Sequence, residues 1–144
     1  MGIAYRPDGP RGLSIEAWVG EITPEDAVQH IAAVAATPTW GATGRVLTDL
    51  SGMSPVALPS REEIAYLARE FEERMSDHSR TANWAVVANV AYKRASEFGD
   101  ELAPSGRRLA VFLELESACI WLGVDLAEVR PAVKALRDEA RSQA

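Results

Sequence analysis

The chain has 144 residues, of which 47% are hydrophobic, and its 15 Lys and Arg against 21 Asp and Glu give a net charge of −6. This length is typical of one domain with one core, and the hydrophobic fraction is too high for a disordered chain. The acidic balance argues against nonspecific nucleic-acid binding, which depends on basic patches that release counterions from phosphates.

Apolar runs and cysteine content predict where the protein resides. The longest uninterrupted apolar run, residues 31–36, is much too short to cross a bilayer. The first residues lack the basic and apolar segments of a secretory signal. Cys119 is the only cysteine, which suits a reducing compartment. We therefore expect a cytoplasmic protein with no membrane span.

The N-terminal segment predicts an antiparallel hairpin. Residues 13–19 alternate apolar with other side chains, which is the period of a strand with one buried face. Residues 7–12 are rich in Pro and Gly, so residues 3–6 can form a short partner strand before a turn.

A helix and a strand are predicted next. Thr23 can cap a helix that has Pro24 as its first residue and acidic residues in its first turn. The apolar stripe extends this helix to about residue 36. Residues 45–50 then form a strand, and we expect Ser, Gly and Pro among residues 51–55 to end it.

The second helix has the clearest pattern in the sequence. Ser60 and Glu63 have the spacing of a capping box, and Glu70 and Arg74 are spaced for an ion pair worth about 0.2–0.5 kcal/mol. The acidic residues of segment 60–77 outnumber its basic residues, so a partner that docks there should be positively charged.

The following segments predict two inner strands and two more helices. Residues 83–88 and 109–113 are apolar on both faces, as inner parallel strands are. A helix over residues 90–102 lies between them, and a short helix after the second strand ends at Gly123.

This order predicts an α/β fold in one domain, residues 1–124. Its sheet is five-stranded, mixed and mostly parallel, with an antiparallel N-terminal hairpin and flanking helices. Residues 125–144 form a helical tail, which Pro131 should divide into a turn near residues 125–130 and a helix after it. The apolar stripe of this tail packs on the domain or on a partner subunit.

Four segments together resemble a known family. They are Gly-Glu-Ile-Thr-Pro-Glu-Asp at residues 20–26, Val-Leu-Thr-Asp-Leu-Ser at 46–51, Trp-Ala-Val-Val at 84–87, and Val-Phe-Leu at 111–113 with Trp-Leu-Gly at 121–123. In order and spacing they resemble the SpoIIAA-like family of small bacterial proteins, which is related to STAS domains and loosely to Sec14-like lipid-binding domains. The resemblance implies a compact α/β domain that is not an enzyme.

The resemblance also implies candidate phosphorylation sites. STAS anti-sigma factor antagonists carry an Asp and a small hydroxyl residue after the third strand, and a phosphorylated serine at the start of the next helix. Asp49, Ser51 and Ser60 occupy comparable places here, although the residues before Ser60 differ from the Asp-Ser-Ser-Gly type of phosphosite. Ser51 and Ser60 are therefore the candidates for phosphorylation.

Reactive residues do not assemble into a catalytic or metal-binding pattern. His30 and His78 are each far in sequence from the cysteine and from any close Asp/Glu/His trio that would suggest a metal site, and we expect both to be solvated or hydrogen-bonded. Cys119 lies on an apolar helix stripe and is expected to be a buried structural thiol. The Gly41 to Gly44 segment precedes a strand, so it does not form a phosphate loop. We expect no metal, no cofactor and no catalytic activity.

Topology and aromatic residues supply the remaining candidates. Ligands of open α/β sheets bind beyond the C-terminal ends of parallel strands. The polar residues expected at that rim are Asp49, Ser51, Ser54, Ser60 and Asn89. Capping and turn formation are the alternative roles for these residues.

Trp18 and Trp40 are candidates for an interface. Trp18 shares a strand face with Ser14 and Glu16, opposite the apolar face. A helix, a subunit contact or a ligand groove can cover such an indole. Trp40, in a Pro-Thr-Trp-Gly loop, poses the same question.

Two functions follow from these features. The first is a non-enzymatic regulatory or protein-interaction domain of the STAS/SpoIIAA-like type, with a protein partner or a second copy of the chain. The alternative is a binding module for a small apolar or amphipathic, lipid-like ligand. Native mass spectrometry or lipid extraction distinguishes the two, and a core with no cavity together with no co-purifying molecule would exclude the alternative.

Overall fold

A computed structural model describes residues 1–75 and 79–144, which form an α/β fold with one five-stranded sheet. The strands are β1 (Ile3–Arg6), β2 (Ser14–Gly20), β3 (Arg45–Met53), β4 (Asn83–Val87) and β5 (Arg108–Phe112). The helices are α1 (Pro24–Ala35), α2 (Arg61–Arg74), α3 (Tyr92–Leu102), α4 (Leu115–Leu122) and α5 (Leu126–Gln143).

The strands follow one another across the sheet in the order β1-β2-β3-β4-β5. β1 runs antiparallel to β2, and the other three pairs are parallel. The predicted mixed, mostly parallel sheet with an N-terminal hairpin is therefore confirmed. Because successive parallel crossovers have the same hand, α1, α2 and α3 lie on one face of the sheet. α4 and α5 cover the opposite face.

The alternation of β2 assigns each of its side chains to one of these two layers. Ile15, Ala17 and Val19 belong to the apolar cluster under α4 and α5. Glu16 and Trp18 point the other way and contact α1. Both layers are buried, so the sheet is covered on both sides.

Local signals fixed the starts of α1 and α2. The Thr23 hydroxyl accepts from the Asp26 amide at 3.1 Å, and the Ser60 hydroxyl accepts from the Glu63 amide at the same distance. In both cases the acidic side chain accepts a hydrogen bond from the amide of the cap residue. The predicted Glu70–Arg74 ion pair is also confirmed, at 2.8 Å.

β3 is longer than the sequence predicts. The expectation that it ends at Leu50 is wrong, because the strand continues to Met53. Gly52 lies opposite Val19, and Met53 lies opposite Gly20, after a register shift in β2. A Cβ atom at position 52 would lie 3.2 Å from a Val19 methyl, so a residue without a side chain suits this close pairing.

The C-terminal tail is one helix rather than a turn and a helix. α5 is continuous, and Pro131 lies inside it on the exposed side. A proline here removes one hydrogen bond, the one that the Ala127 carbonyl would accept. The helix persists because its opposite side, with Val129 and Val133, is buried against the sheet. α5 contacts β1 and β2 of its own chain.

We predict that Pro131→Ala raises the free energy of unfolding by about 1–3 kcal/mol, because it restores a helical hydrogen bond and removes a steric clash. The greater entropy of the unfolded alanine chain offsets roughly 0.4–1 kcal/mol of this gain. Urea denaturation measures the change. Ala135→Gly, at an exposed position of the same helix, is the control and should lower stability by about 1 kcal/mol. An unchanged or lower stability of Pro131→Ala would contradict the prediction.

Candidate functional site

A cavity of about 120 Å³ lies between the sheet and the layer formed by α1, α2 and α3. Its wall is mostly apolar and aromatic. The residues that line its deeper part include Trp18, Ile31, Val34, Trp40, Leu67, Phe71, Trp84, Ala95, Phe98 and Leu109. A concave apolar site with a few polar groups is the usual form of a small-molecule site.

The outer end of the cavity lies at the C-terminal ends of the parallel strands. Half-buried residues line this end: Thr23 and Pro24 at the start of α1, Met53 at the end of β3, and Leu58 and Pro59 before α2. This is the end of an α/β sheet at which ligands bind. None of the five side chains predicted for this rim, Asp49, Ser51, Ser54, Ser60 and Asn89, is among those that line the cavity.

The loop from β3 to α2 forms part of this outer end. The Ser54 hydroxyl accepts from the Val56 amide at 3.1 Å, and Ala57 adopts a left-handed conformation with φ of 65°. These features turn the chain back over the sheet. Arg94 of α3 then donates to the Pro59 carbonyl at 2.8 Å, and Glu97 holds the Arg94 guanidinium from the other side. The loop is thus attached to both α2 and α3.

Four aromatic rings form the inner wall. Trp40 and Trp84 meet edge to face, with ring centroids 5.5 Å apart and planes at 88°. Phe71 and Phe98 each lie within about 6 Å of the Trp84 ring. Edge-to-face rings contribute about 0.5–1.5 kcal/mol per pair beyond their buried area, so they resist collapse into the adjacent space.

A buried polar network lies beside the apolar wall. The Glu16 carboxylate and the His30 imidazole approach to 2.5 Å between Oε2 and Nε2, and both side chains are less than 5% exposed. The Thr48 hydroxyl donates to the other Glu16 oxygen at 2.6 Å. It accepts from the Trp84 indole at 2.8 Å. One continuous chain of hydrogen bonds therefore joins β4, β3, β2 and α1.

The Glu16–His30 pair is the functional candidate that sequence reasoning missed. Polar groups taken out of water need a partner, and Glu16 and His30 are partners for each other. The sequence marks only one member of the pair: His30 lies on the same helix face as the apolar Ala27, Ile31 and Val34. Glu16 lies on the strand face that the sequence does not predict to be buried. His30 was expected to be hydrogen-bonded or solvated, and the structure gives it a buried hydrogen bond.

We predict that His30→Leu lowers the free energy of unfolding by about 3–5 kcal/mol, because it leaves the Glu16 carboxylate buried without its partner. The double variant Glu16→Leu/His30→Leu should be more stable than His30→Leu alone, since it removes both members of the pair. Chemical denaturation of the three proteins measures these differences. A double variant less stable than His30→Leu would refute this account of the pair.

Asp49 and Ser51 lie together, but on the opposite face of the sheet from the cavity. The Ser51 hydroxyl donates to Asp49 Oδ1 at 2.7 Å, and Arg137 of α5 donates to the other Asp49 oxygen at 2.5 Å and to the Ser51 hydroxyl at 2.8 Å. Asp49 is 1% exposed. The hydrogen bond with Asp49 raises the pKa of the Arg137 guanidinium above its ordinary value. The cluster attaches α5 to β3.

The other three rim residues serve loops and helix starts. Ser54 supports the turn after β3, and Ser60 caps α2. Asn89 is exposed, and its carbonyl accepts from the Tyr92 amide at 3.1 Å at the start of α3. Only Asp49 and Ser51 among the five predicted residues bond to each other.

We predict that Arg137→Met destabilises the chain by about 1.5–3 kcal/mol, the usual contribution of hydrogen bonds to a charged group. The Asp49 carboxylate would then be buried with Ser51 as its remaining partner. Thermal and urea denaturation measure the loss. Lys134→Met, at an exposed site on the same helix, is the control and should change stability by less than about 0.5 kcal/mol. Equal effects of both substitutions would show that Asp49 does not depend on Arg137.

The two tryptophans predicted for an interface have internal contacts. Trp40 is 2% exposed and packs against Phe71 and Trp84, so its ring lies in the core of the chain. Trp18 is covered by α1, where its ring meets the edge of His30 at a centroid distance of 5.4 Å. Of the three alternatives for Trp18, the structure shows the covering helix, and the indole also lines the cavity.

The remaining sequence candidates are placed as follows. Cys119 is 1% exposed in α4, and burial raises the pKa of its thiol, which keeps it protonated and unreactive at neutral pH. His78 lies outside the described residues. Within residues 1–75 and 79–144, no group of His, Cys, Asp and Glu side chains is arranged to hold a metal ion. None of the helices in this part of the chain is long and apolar enough to span a membrane.

No family model, curated protein or solved structure matches this chain. The resemblance to SpoIIAA-like proteins therefore stays a prediction from the sequence.

Proposed function

We propose that this chain binds a small, neutral, largely apolar molecule in the cavity between the sheet and α1–α3. The observation that carries this proposal is the cavity itself, which is lined by aromatic and aliphatic side chains and reaches the ligand-binding end of the sheet. This proposal is close to the alternative function predicted from the sequence, which is binding of a small apolar or lipid-like ligand. The size of the cavity narrows the range of ligands further.

The volume limits the ligand to about one ring or a short chain. An apolar cavity of roughly 150 Å³ binds benzene, and the cavity here is about 120 Å³. A long acyl chain needs far more space than this. We therefore propose a compact hydrocarbon-like molecule, not a membrane lipid.

The charges around the cavity favour a neutral ligand. Among the described residues, its ionisable lining side chains are Glu16, His30 and Arg94. Each has a partner within the chain: Glu16 pairs with His30, and Arg94 pairs with Glu97. An ionic ligand would lose its hydration and gain no unpaired opposite charge in return.

Ligand binding is compatible with a regulatory role, and that role stays a prediction. A molecule bound between the sheet and three helices would stabilise the packing of α1, α2 and α3 by mass action. For a phosphorylation switch at Ser51, the hydroxyl would have to leave both Asp49 and Arg137, and at Ser60 it would have to leave the Glu63 amide that it caps. The described geometry supports small-molecule binding more directly than it supports such a switch.

We predict that fluorobenzene and toluene bind this cavity, whereas benzoate and palmitate do not. Binding should raise the free energy of unfolding by about 2.7 kcal/mol at a ligand concentration of 100 times Kd. Fluorine NMR of fluorobenzene and thermal denaturation with each of the four compounds measure the effect. The benzoate comparison tests charge at constant ring size, and the palmitate comparison tests length.

A matched pair of variants locates the ligand. Ala95 lines the cavity, so Ala95→Leu should fill it and weaken fluorobenzene binding at least tenfold. Ala135→Leu introduces the same side chain at an exposed position of α5 and should leave binding unchanged. The proposal fails when neither neutral probe binds the wild-type chain, or when Ala95→Leu binds as well as wild type.

A further inference from the structure

Two buried indole N–H groups in the wall of the cavity have no acceptor. Within residues 1–75 and 79–144, the buried side-chain polar atoms without a hydrogen-bond partner are Trp18 Nε1, Trp40 Nε1 and Arg107 Nη2. Trp18 and Trp40 both line the cavity. An indole N–H can only donate, so pairing it requires an acceptor atom beside the ring.

The third tryptophan of the cavity wall is paired by the chain itself. The Trp84 indole donates to the Thr48 hydroxyl at 2.8 Å. Buried polar groups in native proteins are nearly always paired in this way, and one that is left without a partner destabilises the fold. A donor left unpaired in the wall of a ligand cavity therefore marks a place where the ligand can supply the acceptor.

Trp18 depends on this cavity for an acceptor more than Trp40 does. Trp40 also borders a second space, of about 10 Å³, together with Arg107. That volume holds about one water molecule, so a second source of an acceptor adjoins Trp40. Trp18 does not border this second space. We therefore assign Trp18 as the donor to the ligand of the large cavity.

The oxygen atoms of the other cavity-lining side chains already take part in hydrogen bonds. One Glu16 oxygen contacts the His30 imidazole at 2.5 Å, and the other accepts from the Thr48 hydroxyl at 2.6 Å. The Thr23 hydroxyl caps the start of α1. None of these contacts involves Trp18, so the acceptor for its N–H has to come from the bound molecule.

We propose that the molecule bound in this cavity carries one neutral acceptor oxygen, of the ketone or ether type, that accepts a hydrogen bond from the Trp18 indole. The inference rests on the proposed function, because it concerns the same cavity and the same compact, largely apolar ligand. The hydrocarbon part of such a molecule packs on the aromatic wall. A carboxylate is disfavoured, because one indole N–H cannot replace the hydration of a full charge.

Two probes of nearly the same shape test the role of the oxygen. Cyclohexanone and methylenecyclohexane differ only in the oxygen atom that replaces a CH₂ group. The stabilisation that each probe gives in urea denaturation yields its Kd. Trp18→Phe should weaken cyclohexanone binding about fivefold or more beyond its effect on methylenecyclohexane binding, because only the ketone loses a hydrogen bond.

Two further variants control for the loss of indole volume. Replacement of Trp18 by 3-benzothienylalanine keeps the ring shape, puts sulfur in place of the N–H, and should have the same effect as Trp18→Phe. Trp121→Phe changes an indole that is 39% exposed on α4 and does not line the cavity, so the ratio of the two Kd values should stay unchanged. Proton–nitrogen NMR gives an independent readout: cyclohexanone should shift the Trp18 indole proton downfield, and methylenecyclohexane should not.

The outcomes separate this inference from the proposed function. The acceptor oxygen is refuted if methylenecyclohexane binds and cyclohexanone does not, or if removal of the Trp18 N–H leaves the ratio of the Kd values unchanged. In both cases the cavity remains a ligand site. A selective loss of ketone binding in Trp40→Phe, but not in Trp18→Phe, overturns the assignment of the donor. If neither fluorobenzene nor either of these probes binds the wild-type chain, the proposed function fails together with this inference.

Discussion

Burial of the Glu16 carboxylate under α1 is the constraint on which the α1–α3 layer depends. A carboxylate in this position must be paired, and its partners come from three different elements: His30 from α1, Thr48 from β3 and, through Thr48, Trp84 from β4. Such a network fixes the register of the helix on the sheet more strictly than apolar contacts do, because hydrogen bonds need defined distances and directions.

The same network explains why space remains beside it. His30 keeps α1 at a defined height above β2. Deeper in the layer Trp40 meets Phe71 and Trp84 edge to face, and the Phe71 and Trp84 rings pack against each other with their planes at 32°. The surrounding side chains therefore cannot fill the cavity by small movements. Protein interiors without such constraints are closely packed. The cavity and the polar pair are consequences of one arrangement.

The opposite layer is organised by a second charged contact. Arg137 of α5 reaches the buried Asp49 and Ser51, and the apolar side of α5 packs on β1 and β2. This contact gives Asp49 and Ser51 a structural role on the α5 face, separate from the cavity on the other face. Asp49 and Ser51 are two residues apart, so they lie on the same face of β3, because side chains alternate along a strand. Thr48 and Leu50 lie on the other face and line the cavity.

The sequence by itself determined the order of elements, the two capping boxes, the doubly covered sheet and the antiparallel hairpin, because these depend on local periodicity and on caps within a few residues. Tertiary structure decided the rest. β3 extends to Met53 because it pairs with β2 up to that residue. α5 continues through Pro131 because burial of its apolar side contributes more to stability than one lost hydrogen bond costs. Glu16 and His30 meet only when β2 and α1 pack together, so no local pattern could reveal the pair. The cavity is likewise a property of how three helices fit over a sheet, which depends on distances that sequence spacing does not contain.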